Sequence, residues 1–336
     1  MSSDTTNTAE KFNEDSRELI DSVCQSFFHE KVYRTDLGVI LNADSRRVLD
    51  RIPDNSVDLV FTSPPFPLIR KKDYGNLGED EYIDWFCEFA SRVHRVLKPT
   101  GSFVVDLGSA WMPKRPVRSL YEMKLCIKLV EELDFRLAQD FYWWNPSKLP
   151  TPAQWVTIKR TRVKDAINRV YWFSKTDNPK ASNREVCQPY TENMVAYINR
   201  GKSEHHTRPS GHKPSSYFIK DNGGAIPPNL LAISNAGAAK YVKYCKANDI
   251  TPHPARFPYD LPEFFIRMLT EPGDVVLDPF GGSCTTGSVA ESLDRHWMNI
   301  EINKEYLFGA LGHFQDGANP RNNVDYTIPK PRYVKK

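Results

Sequence analysis

The stretch "DVVLDPFGGSCTTGSVAESLDRHWMNIEIN" (274–303) decides the fold. Its apolar opening "DVVLDPF" (274–280) reads as a buried strand, "TTGSVAESLDR" (285–295) as a helix and "HWMNIEIN" (296–303) as a second strand. Strand, tight turn, helix and strand in such short order make a parallel βαβ unit. The glycines of the turn let backbone approach a ligand closely, and the amides at the helix start favour anionic groups. Glu301 stands about twenty residues beyond the turn, where an acidic residue can accept hydrogen bonds from both ribose hydroxyls of a nucleotide-like cofactor. The turn is not G-x-G-x-x-G, so a dinucleotide is not implied.

Outward from this unit the same alternation continues. Strands are expected at 37–45, 57–61, 101–108, 137–147 and 168–176, and helices at 16–32, 45–53, 81–99, 119–135 and 261–272. The long helix is stopped by Pro99 and Gly101. Strands alternating with helices predict an α/β fold with a mostly parallel, twisted sheet covered by helices on both faces. The pattern fails between 177 and 250, a stretch rich in Asn, Ser, Gly, Pro, Lys and His. It is too long for a simple loop and is read as an inserted smaller region. The expected organisation is a polar tail and helix at 1–34, core at 35–176, the inserted region at 177–250, core again at 251–315 and a tail at 316–336.

With 336 residues, 40% hydrophobic and 26% charged, the chain has ample length for a core and an ordinary globular composition. No apolar run approaches the roughly 18–20 residues of a membrane span. The start, "MSSDTTNTAEKFNED", lacks the marks of a signal peptide and is expected to be disordered. Six scattered cysteines form no C-x-x-C pair, which speaks against zinc or a disulfide framework and for a reducing, cytoplasmic location. The net charge of +3 hides an asymmetry: residues 151–220 hold thirteen Lys/Arg against five Asp/Glu, or +8, which leaves about −5 for the rest. A basic surface beginning near 151 on a mildly acidic body suggests a polyanion partner.

A second stretch carries the chemistry. "VDLVFTSPPFPLIRKK" (57–72) ends a buried strand at two prolines, which offer no backbone N–H to a sheet. "TSPPF" after one strand and "DPFGGS" after another resemble the two hallmark motifs of the amino-group DNA methyltransferases, which use S-adenosylmethionine. The Ser63 form is the usual cytosine-N4 one; adenine-N6 enzymes more often carry Asp or Asn there. The catalytic motif precedes the cofactor loop, as in the circularly permuted beta class. The likeness is closer still to the PvuII-type modification methyltransferases. It covers roughly 35–310 and includes "GSFVVDLG", "DFYWWNPSKLP", "RVKDAINRVYWFSKT", "TRPSGH", "KDNGGAIPPNLLAISN" and "HPARFPYDLPEFFIRMLTEP". It implies an S-adenosylmethionine-dependent methyltransferase fold with an inserted target-recognition region. In the cofactor loop Cys284 takes a place often held by glycine.

The resemblance implies a division of labour. Ser63, Pro64, Pro65 and Phe66 form the catalytic motif. Asp278, Phe280, Gly281, Gly282 and Ser283 form the cofactor loop, Glu301 is the ribose ligand, and Asp44 faces the adenine ring, although Asp44 also stands where a helix N-cap would. Phe257 and Pro258 are expected near the methionine end. The chemistry suits these residues. An exocyclic amine conjugated with its ring is a poor nucleophile, and two acceptors facing its two N–H bonds draw the lone pair out of conjugation. The Ser63 hydroxyl and the rigidly held Pro64 carbonyl are those acceptors, so that orientation and the cofactor's own reactivity drive transfer. No cysteine nucleophile is needed: "VCQPY" (186–190) lacks the Pro-Cys pair of ring-carbon methyltransferases.

A paired base must be flipped out of the duplex to react. Phe66 is expected to stack on it, and Arg70, Lys71 and Lys72 to hold displaced phosphates. Arg160, Arg162 and Lys164 supply further phosphate-directed cations. Arg208 and His212, with His205 and His206, are expected to read base edges in the major groove. Trp143, Trp144 and Trp172 are read as core. The implied activity is site-specific cytosine-N4 methylation of double-stranded DNA by a monomer, without metal or membrane, protecting DNA against a paired restriction endonuclease, with CAGCTG modified at its inner cytosine as a target. The alternatives are an adenine-N6 methyltransferase and a non-catalytic DNA-binding protein on the same core.

Overall fold

The computed structural model describes residues 3–65, 67, 78–112, 114–200, 220–235 and 239–314; for 3–13, 200 and 239–240 it describes the backbone alone. Phe66, Arg70, Lys71, Lys72, His205, His206, Arg208 and His212 lie outside the described residues.

The chain runs α1 (Ser3–Ser26), β1 (Lys31–Arg34), β2 (Gly38–Asn42), α2 (Ser45–Leu49), β3 (Val57–Thr62), α3 (Glu79–Val96), β4 (Leu97–Leu107), α4 (Tyr121–Glu131), β5 (Arg136–Trp144) and β6 (Ile167–Ser174). It continues with α5 (Glu192–Arg200), β7 (Leu230–Ala232), α6 (Ala239–Ala247), α7 (Asp260–Leu269), β8 (Val275–Asp278), α8 (Thr285–Ser292), β9 (His296–Glu301) and α9 (Lys304–Ala310). Among the described residues the strands form one nine-stranded sheet in the order β1-β2-β9-β8-β3-β4-β6-β5-β7. The run from β2 to β4 is parallel. The β6 strand lies antiparallel to both β4 and β5, and β1 and β7 are edge strands.

The central strands β3 and β8 are buried at every residue. That is the mark of parallel strands covered on both faces, and it explains their unbroken apolar runs. Alternate side chains serve the two faces. Val275, Leu277, Met298 and Ile300 join one cluster with Phe86 and Phe89 of α3 and Leu125 of α4. Phe61 packs instead on Phe265 of α7, ring centroids 5.7 Å apart.

The β8–α8–β9 unit and the β3–α3–β4 unit leave the neighbouring strands β8 and β3 in opposite directions. That divergence opens a crevice beyond the carboxyl ends of the two strands, the usual binding place in an open α/β sheet. Ser63 follows β3, Pro279 follows β8, Glu301 ends β9, and Asp44 lies just past β2.

The structure departs from the sequence reading in several places. The expected disordered leader is instead the start of α1. Its Ala, Glu and Lys are good helix formers, and no Pro or Gly interrupts Ser3–Ser26, so a polar composition is compatible with a helix. That helix ends at Ser26, short of residue 32, and Lys31 begins β1, pairing with Leu41. α9 (Lys304–Ala310) is a further element beyond those expected from the sequence.

The chain divides into two compact units, Met1–Ala181 with Asn229–Lys336, and Ser182–Pro228. The region expected as the insertion, 177–250, therefore contributes β7 and α6 to the first unit. Within the second unit a 3-10 turn (Asn183–Val186) and α5 lead on, an isolated bridge joins Gln188 to Ala225, and the Asn222 N–H donates to Tyr190 Oη at 2.9 Å.

Candidate active site

A cavity of about 560 Å³ occupies the crevice. One wall is the β8–α8 turn with the end of β9: Phe280, Gly281, Gly282, Ser283 and Glu301 all line it. The turn is closed by backbone bonds, Gly281 N–H to the Ile300 carbonyl at 2.8 Å and Cys284 N–H to the Gly281 carbonyl at 2.7 Å. Glycine is needed twice. A Cβ on Gly281 would come within 2.9 Å of Asn299 Nδ2, and Gly282 has φ of +48°. Cys284 itself is left-handed (φ 60°, ψ 32°), which accounts for glycine's suitability at that position, and it is fully buried, with burial raising its thiol pKa well above the usual range.

Glu301 accepts from the Gly282 N–H at 2.9 Å through one oxygen and from the Asn303 N–H at 2.8 Å through the other. A carboxylate offers about four lone-pair positions, so Glu301, which lines the cavity, keeps acceptor capacity beyond these two bonds. Burial raises the Glu301 pKa, and the backbone amides of Asn303, Gly282 and Ile302 oppose that. Asp44 caps α2 by accepting from the Arg46 N–H at 2.9 Å, and it also lines the cavity. Asp44 is thus the N-cap of α2 and a residue of the cavity wall, and its carboxylate is engaged by the Arg46 guanidinium at 2.7 Å, which lowers its pKa.

Asp278, expected in the cofactor loop, is 1% exposed and does not line the cavity. Its oxygens accept from Thr62 Oγ1 at 2.6 Å, Thr286 Oγ1 at 2.6 Å and the Phe280 N–H at 3.1 Å. It fastens the ends of β3 and β8 to the first turn of α8. Of the two residues expected near the methionine end, Phe257 lines the cavity and Pro258 does not.

The cavity is also lined by Ser63, Pro64 and Pro65 together with residues that the sequence did not disclose: Asp106, Lys148 and Asn168. Ser63 Oγ donates to Asp106 Oδ2 at 3.0 Å. Asn168 Nδ2 donates to the two Asp106 oxygens at 3.2 and 3.5 Å. Asp106 is 2% exposed, and desolvation pushes its pKa up to about 6 against the opposing pull of these donors. The available signal was an acid inside the apolar strand "GSFVVDLG", since carboxylates are seldom buried without purpose.

Among the aromatics read as core, Trp143 and Trp172 are buried, and Trp143 also lines the cavity; Trp144, its strand neighbour, points the other way and is 41% exposed. Among the expected phosphate contacts, Arg160 is exposed. Arg162 stacks on Trp111 at 3.7 Å and donates to the Pro116 carbonyl. Lys164 donates to the Lys148 carbonyl at 3.0 Å. Arg162 and Lys164 therefore brace the segment between β5 and β6. Among the described residues no group of three His, Cys, Asp or Glu stands where it could hold a metal, and no helix is long and apolar enough to cross a membrane.

Residues 57–310, which carry most of this cavity, match the family described as DNA methylase. The chain belongs to that family. It is 51% identical to type II methyltransferase M.PvuII of Proteus hauseri, over 87% of this chain and 88% of the relative. It is 30% identical to type II methyltransferase M.BglII of Bacillus subtilis, over 89% and 75%. A solved structure, PvuII DNA methyltransferase (cytosine-N4-specific), matches with a TM-score of 0.70 at 45% identity, over 88% of this chain and 90% of that one. The expected α/β methyltransferase fold is borne out. In this DNA methylase the proline elbow and the glycine-rich turn, over two hundred residues apart in sequence, follow neighbouring strands and line a single cavity.

Proposed function

We propose that the protein transfers a methyl group from S-adenosylmethionine to the exocyclic N4 of a cytosine flipped out of duplex DNA, as the protective half of a restriction–modification pair. The observation that carries this reading is Ser63. Its hydroxyl proton is committed to Asp106 at 3.0 Å, which leaves the oxygen lone pairs for an incoming amine, and it lines the same cavity as Glu301 and the glycine-rich turn.

The residues fit the cofactor. Glu301 has acceptor capacity left for ribose hydroxyls, the turn has no Cβ at Gly281 or Gly282, and Phe280 adds an aromatic side chain to the cavity lining. Bound there, S-adenosylmethionine supplies an electrophilic methyl group on its sulfonium. Ser63 and the Pro64 carbonyl accept the two amine N–H bonds and turn the nitrogen lone pair outward. Once the amine carries the new methyl and a positive charge, one N–H breaks toward Ser63 Oγ while the Ser63 proton passes to Asp106. A carboxyl group whose pKa is pushed up to about 6 is a better proton acceptor than an ordinary aspartate.

Extruding the base costs a few kcal/mol. Phe66 stacking on the base is proposed to return roughly 1–3 kcal/mol of that. Arg70, Lys71, Lys72, Arg160, Arg208 and His212 are proposed to contact the duplex, with CAGCTG as the target and Ser182–Pro228 at the centre of target recognition. The protein is proposed to act as a cytoplasmic monomer.

The test is nucleoside mass spectrometry of duplex DNA incubated with the protein and S-adenosylmethionine. N4-methylcytosine is expected, and its loss in Ser63→Ala. N6-methyladenine as the sole product overturns the base assignment.

A further inference from the structure

The wall of the cavity that faces the base has a polarity running along it. Ser63 and Asp106 form its acceptor end. Asn168 comes next, its Nδ2 directed at Asp106 and its Oδ1 at Lys148 Nζ, 3.4 Å away. Only this orientation of the amide satisfies both neighbours. Lys148 forms the donor end. It is half-buried and forms no ion pair among the described residues, and desolvation lowers its pKa, with the charges of Asp106 and Asp165 opposing. Of its three N–H donors, one meets an acceptor among the described residues, the long contact to Asn168. Its backbone is fixed from both sides, since its own N–H donates to the Asn145 carbonyl at 3.2 Å and its carbonyl accepts from Lys164. A lysine held this firmly, lining a cavity with donors to spare, is arranged for a ligand acceptor.

The edge of cytosine carries the matching order: an amine, the N3 acceptor and the O2 carbonyl. Adenine presents an amine and one ring acceptor, and then a C–H where O2 would be. We propose that Lys148 donates to the O2 carbonyl of the extruded cytosine and so makes the pocket prefer cytosine to adenine. The inference rests on the cytosine-N4 reading and adds a second determinant of the base, on a segment over eighty residues from Ser63.

The test is a cycle of protein and substrate changes. The target cytosine in a duplex is replaced by a 2-aminopyridine C-nucleoside, which keeps the amine and N3 but lacks O2. The wild-type protein is expected to lose on the order of 10- to 100-fold in kcat/KM on that change, as for a hydrogen bond to a charged donor. Lys148→Met is expected to methylate the two duplexes at similar rates, with its affinity for S-adenosylmethionine retained as a check on folding. An O2 penalty as large in Lys148→Met as in the wild type overturns the proposal. Should Lys148→Met lose cofactor binding, Lys148→Leu, which likewise carries no donor, replaces it, and there too an undiminished penalty overturns the proposal. A wild-type protein that makes N4-methylcytosine and tolerates loss of O2 defeats the Lys148 inference alone; one that makes no N4-methylcytosine defeats the functional reading beneath it.

Discussion

Two buried aspartates flank the end of β3, and they differ in what their neighbours leave undone. Thr62 and Ser63 are consecutive; the Thr62 hydroxyl goes to Asp278 at the end of β8, and the Ser63 hydroxyl to Asp106 near the end of β4. Burial pushes both carboxyl groups up to about 6. Asp278 is enclosed by three protein donors and has no place in the cavity wall. Asp106 lines the cavity and faces a lysine that it does not pair with. The same shift from the same cause thus accompanies a fastening in one case and, in the proposed reaction, a proton acceptor in the other. A perturbed pKa acquires chemical meaning only from access to a substrate.

The largest effect that tests this contrast is in rate. Asp106→Ala is expected to lower kcat by about 10²–10⁴-fold, the usual range for a positioned proton acceptor, while binding of S-adenosylmethionine, measured by calorimetry, stays near wild type. Asp278→Ala is expected to act on the fold. It strands the Thr62 and Thr286 hydroxyls and the Phe280 amide, a loss of about 3 kcal/mol in denaturant unfolding. If the two variants lose rate and stability in the same proportion, the distinction between fastening and reactive group is gone.

The sequence disclosed these two halves unequally, for a physical reason. The glycine-rich turn, Glu301 and the proline elbow are local: strand, turn and special residues are contiguous, and their backbone requirements show in composition. The Asp106, Asn168 and Lys148 wall is assembled across the sheet, from β4, β6 and the segment after β5. The Ser63–Asp106 and Asp106–Asn168 pairs are separated by 43 and 62 residues. Nothing in "NPSKLP" distinguishes Lys148 from a solvated loop lysine until antiparallel pairing of β5 with β6 brings it beside Asn168. The N-terminal helix is hidden in the sequence for another reason: its polar composition resembles that of a disordered tail, while its helix propensity is intact.

A smaller effect separates the two carboxyl groups by pH. The working form of Asp106 is the carboxylate, so kcat is expected to rise about tenfold per unit below its pKa of about 6 and to level off above it. Asp278→Asn, in whatever fraction folds, should keep that limb, whereas Asp106→Asn should lose it. A limb that persists in Asp106→Asn assigns the titration to another group.

The smallest effects come from single hydrogen-bond partners. Thr286→Val removes the donor to Asp278 Oδ2 and leaves that oxygen buried, at a cost of about 1–2 kcal/mol of stability, with the pH limb unmoved. Asn168→Ala removes a donor to Asp106 at the cavity wall, where water can replace it, so stability should change by less than about 1 kcal/mol. Its signature lies in the rate profile. The Asn168 bond favours the charged form of Asp106 and lowers its pKa; without it the carboxyl group ionises less readily, and the acid limb must move to higher pH. A limb that moves to lower pH, or that moves in Thr286→Val and not in Asn168→Ala, would mean that the two aspartates have been assigned the wrong way round.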